Sequence, residues 1–268
     1  MTADDVILLT GATSGIGLET ARRLAARAKT LIVQGPESAD AAAAGLASIR
    51  GAGGARVEYI SADFTKLADA AAAASAMREA AGEPLTALIN DAGVPGSPER
   101  KVTGDGHERT LQVNFLALVL LSELLAPSIA RGGRLVNLAS ATHESASLDL
   151  DDIELERGYS PVRAYARSKL AIVMYTLWRA RRHADGPISV SLQPGVINTA
   201  LLGAMFGAIG TSVDVGAGSI LSALDAPARG GEYYDEGRLT APSAQARNVG
   251  LGDRLMEWTL TALEPHLA

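Results

Sequence analysis

The sequence predicts an α/β fold, a doubly wound parallel sheet of about seven strands with helices on both faces. Three observations predict it. Short apolar runs of strand length alternate with stretches of helix length along the chain, and that alternation gives parallel strands joined by helical crossovers. The first apolar run, Val6-Ile7-Leu8-Leu9, passes straight into a glycine turn and a helix, Thr10-Gly11-Ala12-Thr13-Ser14-Gly15-Ile16-Gly17. The stretches with chemical potential fall just past strand ends, where such sheets bind ligands. The 268 residues show neither an internal repeat nor a linker-like shift of composition, so residues 1–268 read as one domain of Rossmann type.

Each element has its own justification. Strand 6–10 is apolar and short enough to be buried, and helix 16–28 is amphipathic. Between them Gly11 supplies backbone freedom, while Gly15 and Gly17 admit a diphosphate to the helix N-terminus, whose free N–H groups and dipole favour anions. Strand 31–34 stops at Gly35-Pro36, alanine-rich helix 39–50 at Gly51, and strand 57–61 just before Asp63. Helix 67–81 is closed by Gly82 and Pro84, and strand 85–89 runs into Asn90-Asp91-Ala92-Gly93. A Pro/Gly-rich loop precedes helix 107–129, whose nearly all-apolar middle must be buried and which carries Asn114. Strand 134–138 leads to Ala139-Ser140, and residues 141–160 form an acidic, exposed excursion. Pro161 suits the first turn of helix 162–184. Strand 188–192 precedes Pro194-Gly195, and the apolar stretch 196–215 reads as a lid. Helix 213–224, a short strand at 232–234 and helix 250–262 complete the chain.

Composition excludes several functions. Lys and Arg number 24 against 30 Asp and Glu, a net charge of −6 without a basic tail, which argues against nucleic acid or an anionic membrane as partner. There is no cysteine, hence no thiol chemistry, and this fits a reducing compartment. The acidic start Met1-Thr2-Ala3-Asp4-Asp5 is no signal peptide, and apolar stretch 115–121 falls far short of a membrane span. The expectation is a cytoplasmic protein with a small-molecule partner and no metal site.

The chemistry is on helix 162–184. Tyr165 and Lys169 are i and i+4 and share a face. A phenol titrates near 10, and a neighbouring ammonium lowers that value. Such a tyrosine takes a proton from an alcohol or returns one to a carbonyl oxygen. Ser140 can hold the same oxygen while hydride passes to or from a cofactor.

In this order, the glycine turn, Asn90-Asp91-Ala92-Gly93, Asn114, Ser140, Tyr165-x-x-x-Lys169 and Pro194-Gly195 resemble the short-chain dehydrogenases/reductases. Within that family, Leu135 to His143 and the acidic segment before Tyr165 look most like the retinol-dehydrogenase and WW-domain-oxidoreductase-like branch. The resemblance implies an NAD(P)-dependent carbonyl reductase or alcohol dehydrogenase acting on an apolar substrate. Tyr165 is then the general acid/base, and Lys169 lowers its pKa and binds the nicotinamide ribose. Ser140 orients the substrate oxygen, and Asn114 holds a relay water. Gly11, Ser14, Gly15, Ile16 and Gly17 surround the diphosphate. Asp63 and Phe64 lie at the adenine, and Asn90, Ala92 and Gly93 along the adenosine ribose and strand 85–89. Pro194, Gly195 and Thr199 line the carboxamide. A catalytically silent NAD(P)-binding regulator is the alternative; such proteins tend to lose the tyrosine or lysine, and this chain keeps both.

Several positions depart from the family pattern. Asp91 replaces the usual second asparagine, expected to alter loop bonding and not catalysis, and Ala139 replaces a serine. Strand 31–34 is followed by Gly35-Pro36-Glu37, with neither the acidic residue that marks NAD at Gly35 nor the arginine that marks NADP near Pro36. Glu37, about 20 residues past Gly17, is at the distance of the acidic residue that takes the NAD role, Pro36 before it is able to turn it away, and the choice of NAD or NADP stays open. The long Ser140-to-Tyr165 segment sits before the helix many family members pair through. It puts a tetramer in doubt and leaves a homodimer as the open assembly.

Overall fold

The computed structural model describes residues 4–207 and 209–267; position 208 of the lid and the first three residues, 1–3, lie outside them. Its sheet has eight strands in the order β3-β2-β1-β4-β5-β6-β7-β8. These are β1 (Val6–Leu9), β2 (Thr30–Gly35), β3 (Arg56–Ser61), β4 (Leu85–Asn90), β5 (Ile129–Leu138), β6 (Ile188–Gln193), β7 (Tyr233–Asp235) and β8 (Arg238–Thr240). The helices are α1 (Gly15–Ala25), α2 (Ala43–Arg50), α3 (Leu67–Ala81), α4 (Arg109–Leu111), α5 (Ala117–Leu125), α6 (Pro161–Arg182), α7 (Ala200–Phe206), α8 (Val213–Asp225) and α9 (Val249–Leu263).

Alternation along the strands makes two cores. In β1, Val6 and Leu8 face α3, α5, α6 and α9, while Ile7 and Leu9 face α1, α2 and α8, as a two-residue side-chain period requires. Strands β1 to β7 pair in parallel. The eighth strand departs from the expected seven and runs antiparallel to β7. It is joined by Glu236-Gly237, with φ of 48° and 81°, which is the positive-φ pair of a tight hairpin turn. A glutamate in the first position hides that turn in the sequence.

The expected helix 107–129 is interrupted. It begins at Arg109, passes through a π-helical turn at Gln112–Leu116, and ends before Ile129, which already belongs to β5. The continuous span Arg109–Ser128 is long and apolar enough to cross a membrane, and 83% of its most apolar window is buried inside the protein. It is a core helix, built as its all-round apolarity requires. The excursion at 141–160 is only partly exposed: Leu148, Ile153 and Leu155 are buried, and Arg167 of α6 donates to the carbonyls of Asp152 and Ile153. Helix α9 packs on α6 and is pinned there by Arg181 and Arg182, 3.1 and 3.3 Å from Asp253.

Candidate active site

The glycine turn closes on strand β4. Gly11 has φ +71°, and a Cβ there would lie 2.8 Å from the backbone of Ala92. A Cβ at Gly17 would strike the Gly11 carbonyl oxygen and come within 2.5 Å of Asp91 Oδ2. Gln34 at the end of β2 braces the turn, accepting from the Gly11 N–H at 3.2 Å and donating to the Ala62 carbonyl at 2.9 Å. Thr10 Oγ1 accepts from the N–H groups of Asp91 and Ala92, both at 3.1 Å. A cavity of about 330 Å³ opens over these strand ends, running from Pro36, Asp63 and Phe64 past the turn to Gly93, Val94 and Thr199. It is a cradle that side chains at the glycines would fill, at the place and of the kind that bind a dinucleotide diphosphate.

Behind Gly93 stand the groups that carry chemistry. A Cβ on Gly93 would lie 3.5 Å from Asn114 Oδ1 and 3.7 Å from Lys169 Nζ. Lys169 donates to the Leu138 carbonyl at 2.8 Å, and its ammonium sits 5.5 Å from the centre of the Tyr165 ring. Ser140, capping the turn after β5 by accepting from the Thr142 N–H at 3.3 Å, lies close enough to the Tyr165 phenol to lower its pKa. Asn114 belongs to the π-helical turn, a rare element often found at functional sites. Its side chain donates to the Val94 carbonyl (3.1 Å) and Ser168 Oγ (3.0 Å) and accepts from the Val94 N–H (2.8 Å). Ser168 in turn donates to the Tyr165 carbonyl at 2.8 Å, so the loop after β4 is locked to the first turns of α6.

The family model for short chain dehydrogenase matches residues 5–208. The chain belongs to the short-chain dehydrogenase family. It is 38% identical to polyprenol dehydrogenase of Mus musculus over 206 residues, 73% of this chain and 61% of that protein. The chain thus spans about three fifths of the length of this curated relative. Among solved structures, an uncharacterised protein of Mycobacterium paratuberculosis superposes with a TM-score of 0.81 at 25% identity, covering 98% of this chain and 94% of that one. A short chain dehydrogenase of Burkholderia cenocepacia, solved in complex with NADP, superposes with a TM-score of 0.68 at 25% identity, covering 88% and 97%.

The structure gathers most of the cofactor positions in the cavity lining, whereas Asn114, Ser140, Tyr165 and Lys169 stand behind its wall and not in the lining. Gly11, Ser14, Gly15, Ile16, Asp63, Phe64, Ala92, Gly93 and Thr199 line the cavity. Gly17 lies beneath it as spacer. Pro194 and Gly195 lie outside its lining, bonded to Ser219 and Gln193. Thr199 is at once cavity wall and cap of α7, accepting from the Leu202 N–H at 3.2 Å. Asn90 does not face the cavity: its side chain is buried and donates to Ser122 and Asn137, both at 2.9 Å, and Asn137 continues to Thr176. Its place is in a polar network between sheet and helices, because side chains alternate across β4 and this one falls on the α5/α6 face. His143 lies away from the cavity lining. It is fully buried, its Nδ1 is 2.8 Å from the Ser140 carbonyl, and its Nε2 accepts from the Ser243 N–H at 3.2 Å. That pairing fixes the neutral tautomer with the proton on Nδ1.

The electrostatics also correct an expectation. Burial drives the Tyr165 phenol up to about 12, with Asp91 adding to the rise and the Ser140 hydrogen bond opposing it. Lys169 does not bring it below 10: the ammonium is itself pushed down to about 8 by burial, against the pull of Asp91. Asp91 is the residue whose reach the sequence concealed. Desolvation raises its carboxyl to about 7, with Lys169 opposing, so three coupled groups and not two surround the reacting position. Asp63 keeps a lowered pKa although burial would raise it, because Thr65 donates to it twice and Lys66 and Arg109 are near. Thr13, Glu37 and Arg109 also line the cavity; only Glu37 carried a sequence signal, its distance from the glycine turn.

Proposed function

We propose that this protein is an NAD(P)-dependent oxidoreductase that interconverts an alcohol and an aldehyde or ketone, with Tyr165 as general acid/base. The observation that carries this reading is the convergence of the Tyr165 phenol, the Ser140 hydroxyl and the Lys169 ammonium behind Gly93, at the end of a cleft floored by the glycine turn. The turn and α1 N-terminus would hold the diphosphate, Asp63 and Phe64 the adenine, and Lys169 the nicotinamide ribose. The bound dinucleotide supplies hydride exchange. The protein's own groups do the rest: Ser140 holds the substrate oxygen, and Tyr165 exchanges its proton. With a phenol up to about 12, Tyr165 is protonated at neutral pH, the state that donates to a carbonyl oxygen during reduction. Asn114, its amide nitrogen engaged by Val94 and Ser168, has a lone pair of Oδ1 left for a relay water.

The substrate we infer is apolar. Helix α7 carries Leu201, Leu202, Met205 and Phe206 and no charged residue, Leu201 lines the cleft, and the polyprenol dehydrogenase relative supports a prenol-type alcohol or its aldehyde. Helix α9 packs on α6 within this chain, and a homodimer would use a surface that α9 leaves free. The test is Tyr165→Phe, assayed with prenols and their aldehydes. Turnover falls by roughly 10²–10⁴-fold while dinucleotide binding, read by nicotinamide fluorescence, persists. Turnover retained in that variant overturns the assignment.

A further inference from the structure

We propose that Glu37 reads the 2′-hydroxyl of the adenosine ribose and makes this protein selective for NAD(H) over NADP(H). The inference rests on the cleft being a dinucleotide site, and it separates this chain from the Burkholderia relative solved with NADP.

The argument begins at Gly35, the last residue of β2. A Cβ there would run into the Thr13 methyl group and lie 2.8 Å from Thr13 Oγ1 and 2.9 Å from Glu37 Oε2. A side chain at position 35 would have to displace both Thr13 and Glu37, because the space at this strand end is taken by a carboxylate from two residues further on. Pro36 does not carry Glu37 away; the chain turns so that Glu37 folds back over the end of the strand. The turn is held from the neighbouring strand, where Tyr59 Oη on β3 donates to the Glu37 carbonyl at 2.7 Å. Glu37, Pro36 and Thr13 line the same cavity as the glycine turn. A carboxylate at this end is an acceptor-only group matched to ribose hydroxyls.

Charge points the same way. The charged side chains lining the cavity are Glu37, Asp63, Asp91 and Arg109. Arg109 is the cation among them, and its charge acts on Asp63. The arginines of α1 are engaged elsewhere: Arg22 and Arg23 with Glu19, Arg23 also with Asp214 at 2.9 Å. A 2′-phosphate brings about −1.5 to −2 charges and only acceptor oxygens. Set against Glu37, it would meet a like charge, with Arg109 the one cation lining the cavity among the described residues and the Thr13 hydroxyl a neutral donor, and Glu37 would lose the hydroxyl it accepts from.

The experiment measures dissociation constants of NADH and NADPH by nicotinamide fluorescence, and of ADP-ribose and 2′-phospho-ADP-ribose by competition, on the wild type, Glu37→Gln and Glu37→Arg. Expected is a preference of roughly tenfold or more for the nucleotides lacking the phosphate, where tenfold corresponds to about 1.4 kcal/mol. Glu37→Gln loses most of that preference, and Glu37→Arg reverses it. The exposed position leaves the ligand-free melting temperature unchanged. NADPH binding as tightly as NADH overturns the inference, and so does a wild-type preference that survives Glu37→Gln. Failure to bind either nucleotide instead overturns the dinucleotide-site reading beneath it.

Discussion

Helices α6 and α7 both serve the cleft, and they are built on opposite terms. Helix α6 is 22 residues long, opened by Pro161 and capped by Ser160, whose hydroxyl accepts from the Arg163 N–H at 3.3 Å. Residues 164–176 are all buried, Tyr165 and Lys169 among them at 8% and 4% exposure. Helix α7 has seven residues and buries none of them, with Phe206 40% exposed. Proton transfer needs donor and acceptor fixed to within a fraction of an ångström, and the groups to which the proposed reaction assigns it lie where packing determines every rotamer. Admitting an apolar chain needs contact area that can be rearranged, and segments with few buried contacts open at little cost.

The contrast can be broken hardest within α6. Leu170, fully buried beside Lys169, costs about 2–5 kcal/mol as Leu170→Ala, measured by urea unfolding. A loss under about 1 kcal/mol would show that α6 is not the rigid member of the pair. A smaller effect comes from the carboxylate beneath the catalytic pair. The Asp91 carboxyl is held up to about 7 from an ordinary 3.8. Between these values the folded chain keeps a proton the unfolded chain has released, so its contribution to stability is fullest below 3.8 and declines as pH rises through 7. Asp91→Asn removes that slope, and its melting temperature gains on the wild type across the window. The same change removes a charge that raises the Tyr165 phenol, so the alkaline limb of alcohol oxidation moves to lower pH. Melting curves that stay parallel across the window would place Asp91 outside the coupled group. The smallest effect belongs to α7. Phe206→Ala changes stability by less than about 0.5 kcal/mol, yet raises KM for a long apolar alcohol relative to a short one. An equal KM change for both would remove α7 from substrate recognition.

What could be read from the sequence follows the same division. Strands β1 to β6 and the glycine turn were legible because period and turn chemistry are local. Tyr165 and Lys169 were legible as a pair because four residues on a helix is a fixed geometry. The π-helical turn at Gln112–Leu116 was not, since nothing in Gln-Val-Asn-Phe-Leu distinguishes it from an ordinary turn; tertiary bonds of Asn114 to Val94 and Ser168 hold its side chain in place. The inward turn of the Asn90 side chain, to Ser122 and Asn137, was not legible because a motif names a residue and not the face it occupies. The height of the phenol's pKa was hidden as well, because burial and Asp91 are contributions of the fold and not of neighbours in sequence.

The buried imidazole of His143 ties the catalytic serine's backbone to residue 243, beyond the stretch that the family model matches. The group it binds there is a main-chain N–H, which every amino acid but proline possesses. The tail can therefore drift through generations of substitution at that position and still dock against the reaction centre. Inheritance is constrained at one end of the tether, the histidine, and left free at the other.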